Sequence, residues 1–136
     1  MDFVDHSANF GKINHDTSVK RSKTELYSCY LVATLSNQKK MNQYLVTAYD
    51  YSNDGALQHR MSVRPHHLDG VKELKANGNY VIGGAILNDE GNMIGSVMIV
   101  QFETDEELQA WQLREPYISQ KVWETVDIKP FRVAAV

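Results

Sequence analysis

Two apolar runs in the middle of the chain, Tyr80–Leu87 and Met93–Phe102, are separated by only five residues, Asn-Asp-Glu-Gly-Asn. Both runs are rich in valine and isoleucine, which favour extended strands. The asparagine, aspartate and glycine between them tolerate the left-handed backbone conformations that a tight hairpin requires. These residues predict an antiparallel pair of strands, which any fold of this chain must contain.

The segments before this hairpin predict one further strand and a helical connection. Residues 42–49 alternate in polarity and contain β-branched and aromatic side chains, a pattern typical of a strand. Residues 56–77 carry a helical pattern that Gly78 ends. Pro65 stands within it, where a proline suits the first turn of a helix, so we expect two helical pieces with a break before Pro65.

The segments after the hairpin predict a second helix and a last strand. Thr104 is followed three residues later by Glu107, the spacing of a capping box, so a helix is expected to begin there. Residues 122–134 alternate again and predict a strand, with Trp123 on one face and Val126 on the other.

The resulting order of elements is βαββαβ, which predicts an α+β fold of the ferredoxin-like kind. In such folds both helices cover one face of a four-stranded antiparallel sheet and leave the other face bare. A bare sheet face of this size usually buries itself against a partner or holds a ligand. We therefore expect a homodimer.

Residues 1–40 show no sustained strand or helix period and are expected to form a poorly structured N-terminal extension. The folded domain is predicted over residues 41–136. Because Met41 opens the patterned segment, two alternatives stay open: an extension of the protein, or an upstream translation of a protein that starts at Met41.

Composition restricts the function classes that fit this chain. The formal net charge is −3, and no basic stripe is present, which argues against a nucleic-acid partner. Cys29 is the only cysteine, so the sequence supports neither an intrachain disulfide nor a cysteine zinc site. The apolar residues 26–35 are too few to cross a membrane. They faintly resemble the core of a secretory signal, but no clear cleavage site follows, and a cytoplasmic location is expected.

Five short motifs together resemble the YciI-like (YCII-related) family of small dimeric α+β barrel proteins. They are Arg-Met-Ser-Val-Arg-Pro-His-His-Leu at 60–68, Gly-Gly-Ala-Ile at 83–86, Gly-Ser at 95–96, Glu-Pro-Tyr at 115–117 and Lys-Pro-Phe at 129–131. The resemblance covers the whole patterned region. One departure is the Gly83-Gly84 pair, where the family commonly has Gly-Pro.

The resemblance implies a dimer in which two sheets face each other, and a cleft that holds an acid–base pair, His67 and Asp50. It implies no cofactor. The residues that it assigns to contact with an unknown small-molecule ligand are Arg60, Arg64, Ser96 and Tyr117.

The residues themselves leave alternatives for each of these roles. His67 shares a helix face with Val71 and Leu74, so it is either a buried histidine bonded to backbone or an acid–base group beside a carboxylate. Asp50 ends a strand, where an aspartate often only bonds its own backbone. The adjacent His66 diverges from His67 by about 100° on a helix, which disfavours a shared metal ion.

The polar ligand contacts also have simpler explanations. Arg60 and Arg64 are one helical turn apart and can clamp an anion, although solvated arginines are the commoner outcome. Ser96 lacks the sequence context of a nucleophile elbow, so a polar contact is expected and covalent catalysis is not.

Two hypotheses of function follow. In the first, the protein is a small enzyme in which His67, assisted by Asp50, moves a proton on a small oxygenated substrate by abstraction, elimination or isomerisation. In the second, it is a non-catalytic dimer that binds a metabolite or serves assembly. The two differ in whether Asp50 and His67 converge on an open pocket.

Overall fold

The structure is a computed structural model of the chain that describes residues 20–36 and 39–136. The chain divides into two units, residues 1–38 and 39–136. No helix in the described ranges is both long enough and apolar enough to cross a bilayer.

In the described part of the first unit, residues 20–36, helix α1 spans Lys23–Ser36. This helix lies within the segment predicted as a poorly structured extension, and that description of residues 1–40 stays a prediction. The start of α1 is a capping box: the Glu25 backbone N–H donates to Ser22 Oγ at 3.2 Å, and the Ser22 N–H donates to a Glu25 carboxylate oxygen at 2.9 Å. The capping box satisfies backbone groups at the start of the helix.

The second unit is the predicted α+β fold, with one four-stranded antiparallel sheet in the order β2-β3-β1-β4. The prediction of a ferredoxin-like βαββαβ order is confirmed, with a short extra helix before the last strand. The elements are β1 (Asn42–Asp50), α2 (Ala56–Ala76), β2 (Tyr80–Leu87), β3 (Met93–Phe102), α3 (Asp105–Arg114), α4 (Pro116–Ser119) and β4 (Trp123–Phe131).

The core lies between the helices and one face of the sheet. Alternate residues of the two central strands are buried there, as period-2 side-chain alternation requires. The main core residues are Tyr44, Val46, Ala48, Met98, Val100 and Phe102 from the strands and Val63, Leu74, Leu108 and Trp111 from the helices.

The opposite face of the sheet carries apolar side chains among polar ones and is not covered by the helices of this unit. Leu45 pairs with Ile99 there, and Ile82 of β2, also paired with Ile99, is 61% exposed. Phe131, near the end of β4, is exposed as well. A single copy of the described chain therefore leaves a hydrophobic sheet face in contact with water.

The predicted break before Pro65 is wrong, because α2 continues through it from Ala56 to Ala76. A proline inside a helix removes the hydrogen bond to the carbonyl four residues earlier, here that of Met61. Pro65 and Met61 both lie on the exposed side of α2, where water can bind the freed carbonyl.

The predicted face of Trp123 is also wrong. A register shift pairs Tyr49 with Thr125 and Asp50 with Trp123, so that Glu124 has no partner on β1. One extra residue in a strand reverses the faces of the residues beyond it. Trp123 is therefore buried in the core instead of lying on the bare face with Thr125.

Candidate functional site

A cavity of about 90 Å³, partly open to solvent, lies between α2 and the β2–β3 edge of the sheet. Five of the six predicted site residues contribute to its wall: Arg60, Arg64, His67, Ser96 and Tyr117. The remainder of the wall is largely apolar. The fold therefore brings together side chains that lie as far apart in sequence as Arg60 and Tyr117.

Helical spacing explains how α2 supplies three of these residues. Arg60, Arg64 and His67 stand at positions i, i+4 and i+7, which share one face of a helix. Arg60 is 2% exposed, His67 is 8% exposed, and Arg64 is half-buried. His66 lies on the exposed side of the same helix, as its 100° offset predicts. No group of three metal-ligating side chains is found in the described part of the chain.

The carboxylate bound to His67 is that of Glu115, with Nδ1 and Oε1 2.7 Å apart. The same Oε1 accepts the Tyr117 backbone N–H at 3.0 Å, which caps helix α4. Because this buried oxygen already acts as an acceptor, we assign the imidazole proton to Nδ1 and the lone pair to Nε2. Among the described residues, Nε2 has no hydrogen-bond partner and is free to accept a proton.

The expectation that Asp50 is the carboxylate partner of His67 is thus corrected. Asp50 instead accepts two hydrogen bonds from Nη1 of Arg60, at 2.7 and 3.0 Å. Nη2 of Arg60 donates to Ser96 Oγ at 2.8 Å. Burial raises the pKa of the Asp50 carboxyl, although the hydrogen bond and charge of Arg60 oppose that rise. This ion pair neutralises Arg60, which weakens the prediction that Arg60 clamps an anion.

Tyr117 lies between Arg60 and His67 in space. Its ring stacks on the His67 imidazole with centroids 4.0 Å apart, and Cζ of Arg60 is 4.7 Å from the ring centroid. Arg60 and His67 are two helical turns apart, about 10 Å along the axis, so the ring fits between them. The Trp123 ring meets the Tyr117 ring edge-on, with the two ring centroids 5.4 Å apart.

The hydroxyl of Tyr117 is buried and has no hydrogen-bond partner among the described residues. Burial raises the pKa of this phenol, and the charges of Arg60 and Arg64 partly offset the rise. The hydroxyl is therefore a neutral donor at physiological pH. Arg64 likewise has no hydrogen-bond or ion-pair partner within residues 20–36 and 39–136.

The glycine pair of β2 forms the wall opposite α2. A Cβ at Gly83 would meet the Val97 carbonyl oxygen at 2.8 Å and the Tyr80 hydroxyl at 3.0 Å, whereas one at Gly84 would meet nothing within 4 Å. Gly83 thus permits close packing of the strands, whereas a side chain at Gly84, two residues from Ile82, would lie on the bare face of the sheet, where space is open.

The model of the YCII-related domain matches residues 43–132 of this chain. The chain belongs to the YCII-related family. Protein YciI from Escherichia coli O6:H1 is 36% identical over 95 residues, which span 65% of this chain and 95% of the relative. An uncharacterized protein from Haemophilus influenzae is 32% identical over 95 residues, which again span 65% of this chain and 95% of the relative.

Among solved structures, 5-chloro-2-hydroxyhydroquinone dehydrochlorinase from Burkholderia phenoliruptrix AC1100, in complex with 2,5-dihydroxybenzoquinone, has the same fold. Its TM-score is 0.58 at 23% sequence identity, covering 68% of this chain and 95% of that one.

Within this YCII-related domain, sequence reasoning missed the role of Glu115. The residue stands in the Glu-Pro-Tyr motif that contributed to the resemblance, and that motif was the available signal. A capping carboxylate at the α3–α4 junction is accessible to sequence reading, but its contact with a histidine 48 residues away is not.

Proposed function

We propose that this YCII-related protein is a small-molecule acid–base enzyme in which His67 Nε2 removes a proton from a substrate bound between α2 and β2. The observation that carries the proposal is the His67–Glu115 hydrogen bond of 2.7 Å, which leaves Nε2 unpartnered at the cavity wall. A carboxylate on one ring nitrogen fixes the tautomer and the orientation of the ring, so the other nitrogen is left as the acceptor.

The proton transfer needs no cofactor. The substrate hydrogen moves to Nε2, and the imidazolium so formed is stabilised by the Glu115 carboxylate at Nδ1. Return of the proton to another substrate atom gives isomerisation, and loss of a leaving group from the anion gives elimination. Both reactions fit a base that is buried but reaches an open cavity.

The role of Asp50 in this proposal is to position other groups. It holds Arg60, and Arg60 in turn binds Ser96 Oγ and packs on the Tyr117 ring. Since Tyr117 stacks on His67, the ion pair supports the orientation of the base from the far side of that ring. Buried groups held on several sides lose little additional freedom when a substrate binds.

The ligand of the dehydrochlorinase, 2,5-dihydroxybenzoquinone, is a small cyclic oxygenated compound and a suitable first probe. Wild-type protein is expected to accelerate the exchange of its ring hydrogens for deuterium above the buffer rate, as followed by NMR. The His67→Gln variant should lose that acceleration. The matched control is His66→Gln, which changes the exposed neighbouring histidine and should leave exchange unchanged.

A set of small lactones and quinols tested in the same way extends the probe to other oxygenated compounds. If no compound exchanges faster with wild-type protein than with His67→Gln, the enzyme proposal is rejected. Binding without exchange, detected as a thermal shift that disappears in His67→Gln, would instead establish a metabolite-binding module.

We also propose that two copies pair through the bare sheet face, around Leu45, Ile82 and Ile99. An apolar surface of this extent is seldom left in water. Light scattering at micromolar concentration should give about twice the chain mass of 15.5 kDa. Ile99→Lys should convert the dimer to a monomer, whereas a monomeric wild type would reject this pairing.

A further inference from the structure

The Tyr117 hydroxyl is a buried donor that the protein does not satisfy. Buried polar atoms without a partner are rare and costly, and each calls for an explanation. Three such side-chain atoms occur among the described residues, and two of them, the Tyr117 hydroxyl and Nε of Arg60, belong to residues of the cavity wall. Because Tyr117 lines the cavity, a ligand in that cavity is a candidate acceptor for its hydroxyl.

Arg64 adds a positive charge without a direct partner among the described residues at the same cavity wall. The guanidinium of Arg60 is matched by the Asp50 carboxylate, but that of Arg64 has no ion-pair partner in the described residues. Arg64 and Tyr117 line the same cavity. Both groups donate hydrogen bonds, and such bonds are strongest to an anionic acceptor.

The net charge of the site depends on the protonation of His67. When His67 is neutral, the two arginines are balanced by Asp50 and Glu115, and Tyr80, the other titratable group at the wall, is uncharged. When His67 holds a proton, the site carries one unit of positive charge. A neutral substrate therefore suits the first state and a monoanion suits the second.

We infer that the Tyr117 hydroxyl and the Arg64 guanidinium form an oxyanion site, specific for neutral substrates whose conjugate base carries its charge on oxygen. Enolisable carbonyl compounds and phenols are the matching class. This inference rests on the proposed proton transfer. The substrate C–H or O–H bond breaks, its proton joins Nε2 of His67, and the electron pair stays on the substrate and is delocalised to the oxygen that Tyr117 and Arg64 bind.

The size of the cavity limits how such a compound binds. At about 90 Å³ it is smaller than the roughly 150 Å³ that encloses benzene in a well-studied apolar cavity. Only the oxygen-bearing part of a ring compound fits inside, and the remainder extends toward the open side. Selectivity is therefore expected to act on the ionisable oxygen and less on the far end of the molecule.

The probe that tests this site is 4-nitrophenol, whose phenolate and phenol forms differ in visible absorbance. Its neutral counterpart is 4-nitroanisole, which cannot ionise. Wild-type protein should bind 4-nitrophenol as the phenolate and lower its apparent ionisation pH. Tyr117→Phe and Arg64→Gln should each weaken that binding about tenfold or more, because each removes a charge-assisted hydrogen bond. Arg114→Gln, on the exposed side of α3, is the matched control and should bind as wild type does.

Thermal unfolding of each variant confirms that it folds. Equal affinity for 4-nitroanisole and 4-nitrophenol, unchanged binding in both variants, or no binding of either compound to wild type would each overturn the oxyanion site. The proposed proton transfer is decided separately, by deuterium exchange. Phenolate binding that depends on Tyr117 and Arg64, without any deuterium exchange, would support the anion site and reject the proposed proton transfer.

Discussion

The His67 and Tyr117 rings stack face to face, with planes 12° from parallel and centroids 4.0 Å apart. Glu115 holds both residues, since its Oε1 binds Nδ1 of His67 and the backbone N–H of Tyr117. One carboxylate oxygen therefore fixes the base and the ring beside it. The orientation of Nε2 is set before any substrate enters, which is the arrangement that proton transfer favours.

Replacing Tyr117 by phenylalanine is expected to stabilise the fold while impairing anion binding. The buried hydroxyl has no partner among the described residues, so removing it relieves a desolvation cost of about 1 kcal/mol. For a domain of this size the melting temperature should rise by about 4 to 8 °C. Calorimetry checks this, with the exposed Tyr49→Phe as control. A loss of stability in Tyr117→Phe would indicate that the hydroxyl has a partner.

Alkaline pH should destabilise the protein in part through Tyr117. Because burial raises the pKa of its phenol, the folded state keeps this proton at a pH where the unfolded chain loses it. The unfolded state then binds fewer protons, so the free energy of unfolding falls as pH rises above about 10. Denaturant titrations from pH 9 to 11 should show a shallower fall in Tyr117→Phe than in wild type, and the exposed Tyr51→Phe should keep the wild-type slope.

Asp50→Asn should be strongly destabilising because it leaves the Arg60 guanidinium buried without a matching charge. Breaking a buried ion pair in this way costs about 3 to 5 kcal/mol. Asp127→Asn is the matched control: it breaks the exposed pair with Lys129, whose side chains are 60% and 69% exposed, and should change stability by less than about 1 kcal/mol. Urea unfolding that gives both variants the same stability would contradict the structural role of Asp50.

Glu115→Gln should slow deuterium exchange by about 10² or more, since the imidazolium loses its carboxylate. The glutamine oxygen can still accept the Tyr117 N–H, so the α4 cap is retained. The variant that keeps the charge, Glu115→Asp, should recover part of the rate. The discriminating measurement is the exchange rate of a Glu115→Gln variant shown to be folded by thermal unfolding: an unchanged rate would mean that Glu115 is only a cap.

The two glycines of β2 should respond oppositely to alanine. Gly83→Ala places a Cβ 2.8 Å from the Val97 carbonyl oxygen, and we expect a loss of about 1 to 3 kcal/mol. At Gly84 the space is open and the backbone dihedral is ordinary, so alanine should be neutral or stabilising by up to about 1 kcal/mol. Equal melting temperatures of the two variants would contradict the close packing at Gly83.

The elements of the fold were predictable because their signals are local. Alternation, the Asn-Asp-Glu-Gly-Asn turn and the Thr104 cap each act over a few residues, and the Thr104 hydroxyl does accept the Glu107 N–H at 3.2 Å. The errors arose where distant parts of the chain decide the outcome. Trp123 faces the core because of a cross-strand register shift, and Pro65 is tolerated because solvent lies beside it.

The candidate site was likewise predictable only where its signals are local. The face of α2 that carries Arg60, Arg64 and His67 follows from helical spacing, so the convergence of these three residues could be expected. The choice of carboxylate could not, because Asp50 and Glu115 both lie near the helix and only packing assigns one to Arg60 and the other to His67.

The groups proposed for proton transfer and the wall that limits substrate size belong to different elements. His67 and Arg64 lie on α2, and Tyr117 and Glu115 at the α3–α4 junction, whereas the opposite wall includes Ala85 of an edge strand, which pairs with Ser96 and shares its face of the sheet. Larger side chains introduced at Ala85 can therefore reshape the cavity without disturbing the base. A library of variants at this position would change substrate specificity while the acid–base residues stay the same. Such a separation allows one fold to evolve new specificities.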